Sequence, residues 1–172
     1  MSETTLNDLF SQGIDPAALA GRWYIVETSL DFWQRRSNPS ITYTQQRYKG
    51  VPRLLDQVRY TNAAGQPKQI VGYDYELAGE QGHFLWLAQP RYLFFLKSRW
   101  GLVAHDPEYR EWAVTYFSKT LFTAAGIDIY ARKPNLAPQA RQQIIEQISG
   151  VLALQPLIEK LYLTQQTPKA KP

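Results

Sequence analysis

Between Gly21 and Arg132 the chain is cut into eight short segments rich in aromatic and β-branched residues, at 23–30, 41–48, 54–61, 70–77, 84–88, 101–104, 112–117 and 127–131. Gly, Pro and Asn part them. Short strands at this spacing with turn residues between them define an antiparallel sandwich or barrel. Alternation is clearest where Val71, Tyr73, Tyr75 and Leu77 share one face and Gly72, Asp74 and Glu76 the other, and it recurs in Val58 and Tyr60 against Gln57 and Arg59. A period of two with one apolar face predicts strands buried on one side, and the tyrosine face is the expected inner one.

The pattern changes after Pro134. Over residues 138–152, Arg141, Ile144, Ile145, Ile148, Val151 and Leu152 recur at helical spacing, with Gln142, Gln143, Glu146 and Gln147 opposite, and Pro138 suits a first turn. Pro156 is expected to block continuation of that helix, and residues 160–165 read as one more short strand. The expected organisation is an N-terminal segment at 1–20, one domain at 21–166 and a loose tail at 167–172.

Composition narrows the chemistry. With 19 Lys and Arg against 15 Asp and Glu the net charge is only +4, and no helix-turn-helix, RRM-type or zinc-finger pattern accompanies it, so no nucleic-acid partner is expected. There are no cysteines and only two histidines, His83 and His105, which excludes thiol chemistry and leaves little for a metal centre; neither metal nor cofactor is expected. The longest apolar stretches, such as 92–96, fall far short of the roughly 20 residues that span a bilayer. The first ten residues lack a basic and apolar leader pattern, so a cytoplasmic location is expected. No nucleophile elbow, phosphate-binding glycine loop or His-Glu-x-x-His occurs. Asp56, Asp74 and Glu27 are the carboxylates that burial could make into proton-transfer groups, but no spacing supports a catalytic set.

Three local motifs stand in order: Gly21-Arg22-Trp23-Tyr24 at the first strand, Asp106-Pro107-Glu108-Tyr109 before the seventh, and Arg132 after the eighth. With the helix and short strand that follow, this set resembles the lipocalins, most closely the bacterial and plant branch related to apolipoprotein D. The resemblance implies an all-β fold: an eight-stranded antiparallel up-and-down barrel with a C-terminal α-helix packed outside. It also implies that Gly21, Trp23, Asp106, Tyr109 and Arg132 are structural, with Arg132 lying against Trp23 as a plug. A guanidinium over an indole face contributes about 0.5 to 2 kcal/mol and can donate to otherwise orphaned carbonyls. The cysteines that staple many secreted members are missing.

An eight-stranded barrel is wide enough either to be filled by its own side chains or to hold one small ligand. By parity and loop position, Trp33, Tyr43, Val58, Tyr60, Tyr73, Tyr75, Trp86 and Tyr116 are the expected pocket residues. Lipocalin topology places loops 31–40, 61–68, 89–100 and 117–126 around the mouth, where they carry +1, +1, +3 and +1, while the opposite turns 48–53, 78–82 and 104–111 carry +2, −1 and −2. A basic mouth follows, with Arg35, Arg36, Arg91, Lys97 and Arg99 as expected rim contacts beside Phe32, Trp33, residues 92–95, Leu121 and Phe122. The expected function is non-catalytic binding or transport of a small hydrophobic or amphipathic molecule such as a fatty acid or lysophospholipid. The alternatives are an enzyme or carrier for a polyene or tetrapyrrole pigment, since the family includes rare enzymes, and a filled barrel acting at an anionic membrane surface or on a protein. The oligomeric state stays open.

Overall fold

The computed structural model describes residues 10, 14–89, 97–121 and 123–167. Eight strands, β1 (Gly21–Thr28), β2 (Ser37–Tyr48), β3 (Val51–Thr61), β4 (Pro67–Leu77), β5 (Glu80–Ala88), β6 (Lys97–His105), β7 (Trp112–Phe117) and β8 (Gly126–Ala131), pair antiparallel with their chain neighbours. Pairing of β8 with β1, and of β1 with β2, closes the sheet into an up-and-down barrel. Closure leaves no long free edge in the sheet.

Local chemistry sets the turns. Lys49 and Gly50, both at positive φ, join β2 to β3 in a two-residue hairpin, the geometry whose twist matches the flanking strands. A bulge in β1 between Ile25 and Glu27 turns Glu27 away from the interior, where both its carboxylate oxygens accept from Arg141, at 2.6 and 3.1 Å.

Pro138 opens α1 (Pro138–Ser149), whose Ile144 and Ile148 bury against Val26, Trp112, Val114, Ile127 and Ile129 on the outside of the barrel. α1 stops at Ser149 with Gly150 at its C-cap, short of the expected end at residue 152 and well before Pro156, which instead starts a second short helix, α2 (Gln155–Ile158), because proline is tolerated in a first turn. The last element, β9 (Tyr162–Leu163), lies beside the upper part of β1, where β1 has parted from β2. Thr164 N–H donates to Val26 O, the Gln166 amide to Ile25 O and Pro39 O, and Thr167 N–H to Asn38 Oδ1, so the first residue of the expected tail is tied down.

All three motifs meet at the barrel base. The Arg132 guanidinium sits 3.5 Å from the Trp23 ring and donates to Tyr109 O, Arg22 O and Ala18 O. Gly21 has φ of +96°, and a Cβ there would come within 3.2 Å of Arg132 Nη1, so two separate constraints favour glycine. Trp23 Nε1 donates to Leu19 O at 2.9 Å, which anchors the short 3-10 turn Pro16–Leu19 under the barrel.

In the turn before β7, the Asp106 carboxylate accepts from the backbone N–H groups of Glu108, Arg110, Glu111 and Trp112. Burial pushes this carboxyl up, but the four amides together outweigh it and hold it below the ordinary carboxylate range. Asp106→Ala strips four donors of their acceptor, and at about 0.5–0.75 kcal/mol each for the partly wet bonds the expected loss is roughly 2–3 kcal/mol. In a chain of this size that lowers the thermal midpoint by about 5–10 °C, measurable by circular dichroism.

Candidate ligand-binding site in the barrel

Ladder register decides which residues face inward. Tyr43 opposes Asp56, which opposes Gly72; Leu54 opposes Asp74, which opposes Trp86; and Phe84 opposes Trp100. The inner face of β4 is therefore Ile70, Gly72, Asp74 and Glu76. Tyr73 and Tyr75 point outward, contrary to the sequence expectation, and so do Val71 and Leu77. Their phenols are engaged there: Arg53 lies 3.6 Å from the Tyr73 ring and donates to the Tyr75 hydroxyl, and the Gln89 amide donates to that of Tyr73. Tyr116 is likewise on the outer face, beside Phe10 at 6.0 Å, because its neighbour Thr115 faces inward opposite Leu102.

The remaining expected pocket residues do face the interior. Tyr43 stacks on Trp100 at 5.7 Å and Trp100 on Phe84 at 4.7 Å, filling the middle of the barrel. Trp86 lies over Gly72, where a Cβ would collide with the indole. Val58 and Tyr60 pack against the buried interior cluster. Sequence reasoning missed Trp100, Phe84 and Tyr130 as wall residues; the opposition of Phe84 and Trp100 across β5 and β6 would have needed the register to find.

At the mouth, the 3-10 turn Asp31–Trp33 folds inward. Trp33 is only 6% exposed and meets Phe32 at 4.7 Å and Tyr60 at 5.7 Å, all edge to face. Leu30 lies over Gly126, where any larger residue would clash. The Arg36 guanidinium lies 3.8 Å from the Phe32 ring and donates to Phe32 O, so it braces this aromatic lid. Arg35, Lys97 and Arg99 are exposed at the lip, the last two turned to the outer face of β6 opposite the inward Ser98 and Trp100. Arg91, residues 92–95 and Phe122 lie outside the described residues. A cavity of about 550 Å³ lies beside the lid, lined by Leu30, Phe32, Gln34, Thr123 and Tyr162 among others.

Under the lid the interior is polar at its centre. Asp56, Asp74 and Asp128 are all buried, with Tyr43, Tyr130 and Thr115 between them. Asp128 Oδ1 accepts from Thr28 Oγ1 at 2.6 Å, and Asp74 Oδ1 from Trp100 Nε1 at 2.7 Å. Asp56 Oδ1 and Asp74 Oδ2 are buried without a hydrogen bond, and Tyr130 OH and Trp33 Nε1 make none of normal geometry, although Tyr130 faces Tyr43 and Thr115 and Trp33 faces Asp128. Buried polar atoms of this kind are rare in native proteins and mark places where a ligand group or water is accommodated. Among the described residues no group of three or more His, Cys, Asp or Glu is placed to hold a metal ion.

Burial raises all three carboxyls: Asp128 to about 7, with the Thr28 and Trp33 side chains partly opposing it, and Asp56 and Asp74 well above the ordinary range, Asp74 further through the charge of Asp56. Burial also raises Tyr43 and Tyr130. Burial thus favours the protonated forms of Asp56 and Asp74 at neutral pH, while Asp128 stands near its midpoint there.

By sequence, no protein-family profile and no curated protein matches the chain. In three dimensions it is similar to solved lipocalin-type barrels. Lobster apocrustacyanin A1 is 15% identical with a TM-score of 0.68, covering 88% of this chain and 79% of that one. Apocrustacyanin C1 is 15% identical at 0.70, over 92% and 83%, and apocrustacyanin C2 is 16% identical at 0.68, over 91% and 82%. This likeness shows the fold: an eight-stranded antiparallel barrel with its helix outside.

A carboxyl raised in the fold contributes stability that is complete below its unfolded pKa and is lost as pH rises through the folded one. For Asp128 the window runs from 3.8 to about 7. Unfolding free energy is therefore expected to fall across this range, most steeply by about 1.4 kcal/mol per pH unit for each such group. Asp128→Asn keeps an acceptor for Thr28, flattens the curve and exceeds the wild type in stability at pH 8. Urea melts from pH 4 to 9 check this; a wild-type curve that rises over the window contradicts it.

Proposed function

We propose that the barrel is a non-catalytic carrier of a small hydrophobic or amphipathic molecule, admitted where the Asp31–Trp33 turn closes the mouth. The observation that carries this reading is the lid itself. Trp33 is buried with its indole turned toward Asp128, yet it stands on a three-residue turn rather than on a strand. Such a turn can exchange its own aromatic contacts for those of a ligand at small backbone cost. The polar groups beneath suit a hydroxyl or protonated carboxyl on the ligand, and exposed Arg35 favours an anionic head at the lip. Fatty acids and lysophospholipids combine these features. The Gly21–Trp23, Asp106–Tyr109 and Arg132 motifs support placing the chain in the lipocalin branch related to apolipoprotein D, and the lack of cysteines supports a reducing, cytoplasmic setting.

A second reading is favoured by the Tyr43–Trp100–Phe84 stack, which fills the middle of the barrel. In it, the barrel is a scaffold whose basic lip rests on an anionic membrane surface, each nearby cation contributing about 1 kcal/mol.

Native mass spectrometry of the purified protein, with solvent extraction, is expected to reveal a stoichiometric lipid; a pigment would show by its visible absorbance. Lauric acid or lysophosphatidylcholine should displace an apolar fluorescent probe saturably, and Trp33→Ala should weaken binding about tenfold, the loss of roughly one buried aromatic contact. If no lipid displaces the probe while the protein partitions onto anionic but not neutral vesicles at low salt, the carrier reading fails and the surface reading stands.

A further inference from the structure

We propose that the outer face of β3, β4 and β5 is a docking surface for an anionic lipid bilayer, on which the barrel lies on its side. The register aligns outward side chains in rows across the sheet. Leu55 opposes Tyr73, Tyr73 opposes Leu87, and Leu87 opposes Lys97. One step toward the closed end, Tyr75 opposes Leu85 and Leu85 opposes Arg99, with the Arg53 guanidinium donating to the Tyr75 hydroxyl. One step toward the mouth stands Val71, opposite Gln57. The three leucines, Val71 and the two tyrosines are only half-buried, and they belong to neither of the two buried apolar clusters. Helix α1 packs on the other side, against Val26, Trp112, Val114 and Ile129. Apolar rows of this kind on the outside of a closed sheet mark a binding surface.

Charge on this face has one sign. The outward positions of β3 and β4 hold no Asp or Glu, and Arg53, Arg59, Lys97 and Arg99 frame the apolar rows. None of the four takes part in a described ion pair. Glu80, at the start of β5, is engaged by His83 at 3.0 Å. An anionic partner is thereby selected, and a second copy presenting the same face is repelled.

Among anionic partners the apolar rows decide. Single-stranded nucleic acid stacks its bases on free aromatic faces, but these rows are mostly aliphatic and the Tyr73 ring already carries Arg53 at 3.6 Å. The outside of a closed barrel is convex, so a rigid protein partner would need a matching hollow, whereas a lipid headgroup layer conforms to it. Tyrosines with polar tips and long cationic stems over leucines suit that layer: the cations meet phosphates while the apolar rows reach toward the acyl chains. None of these side chains faces the interior, so this docking is independent of what the barrel carries, and it differs from contact through the lip.

The chain has no cysteine, so a single introduced one carries an environment-sensitive fluorophore without background. Gln57→Cys places the label on the docking face, Ala124→Cys at the mouth and Gln143→Cys on α1. Each full-length labelled chain is mixed with phosphatidylcholine vesicles containing or lacking phosphatidylglycerol, at low and high salt. The expected result is binding to the anionic vesicles alone, reversed by salt, with a blue shift in the Gln57→Cys label and none in the other two. Arg59→Gln and Arg99→Gln, on exposed side chains, should each weaken vesicle binding about fivefold, and together about twenty- to thirtyfold. The proposal is overturned if neither vesicle binds, if both bind equally, if the blue shift falls in the Ala124→Cys or Gln143→Cys label instead, or if both arginine variants bind as the wild type does. It is overturned equally if polyglutamate or oligothymidylate shifts the Gln57→Cys label while anionic vesicles do not.

Discussion

The rest of the architecture hangs on one guanidinium. Arg132 carries donors in a fixed planar fork, and three carbonyls from three separate elements, at Ala18, Arg22 and Tyr109, meet that fork while Trp23 covers its face. A lysine could supply the charge but neither the geometry nor the flat surface. Because the three acceptors belong to the N-terminal turn, the first strand and the turn before β7, one side chain fixes how the base closes. It closes only one side. The plug's contacts lie at the N-terminal turn, β1 and the turn before β7, while β2 outruns β1 and pairs on with β3 alone, leaving a cleft lined in part by Asp74.

The interior reverses the usual order of polarity in places. Three carboxyls sit within the closed sheet and two tyrosines of β4 sit outside it, under an arginine and a glutamine. Carboxyls tolerate that position by keeping their protons, and the aromatic stack around them supplies the low-dielectric surroundings that make this favourable. Oddly placed donors and acceptors then give the barrel a patterned lining that an all-apolar core lacks, which is the property a discriminating cup needs.

Strand count, helix and closing plug were legible in the sequence because each rests on local chemistry: turn residues at regular spacing, a 3.6-residue apolar period after Pro138, and motif residues whose roles do not depend on register. Inward and outward faces were not. In β4 both faces carry bulky or polar residues, so alternation shows that a strand exists without showing which side is buried, and a one-residue ambiguity reverses Tyr73 and Tyr75 together. Tyr43, Val58 and Tyr60 were legible because their outward neighbours are plainly polar. The cleft by Asp74 was invisible for a different reason: it depends on β2 outrunning β1, a difference in pairing length that no single segment records.

The short strand β9 occupies the gap where β1 and β2 diverge, and Thr164 bonds to Val26 across a sequence separation of 138 residues. The first strand of the barrel therefore gains its full set of partners only from the far end of the chain. On a ribosome, the early hairpins from β2 to β5 can form while β1 still has one upper edge bare. Final closure must wait for residues 162–166 to emerge, and such late, long-range pairing makes this a slow-folding topology whose last step is the sealing of a seam.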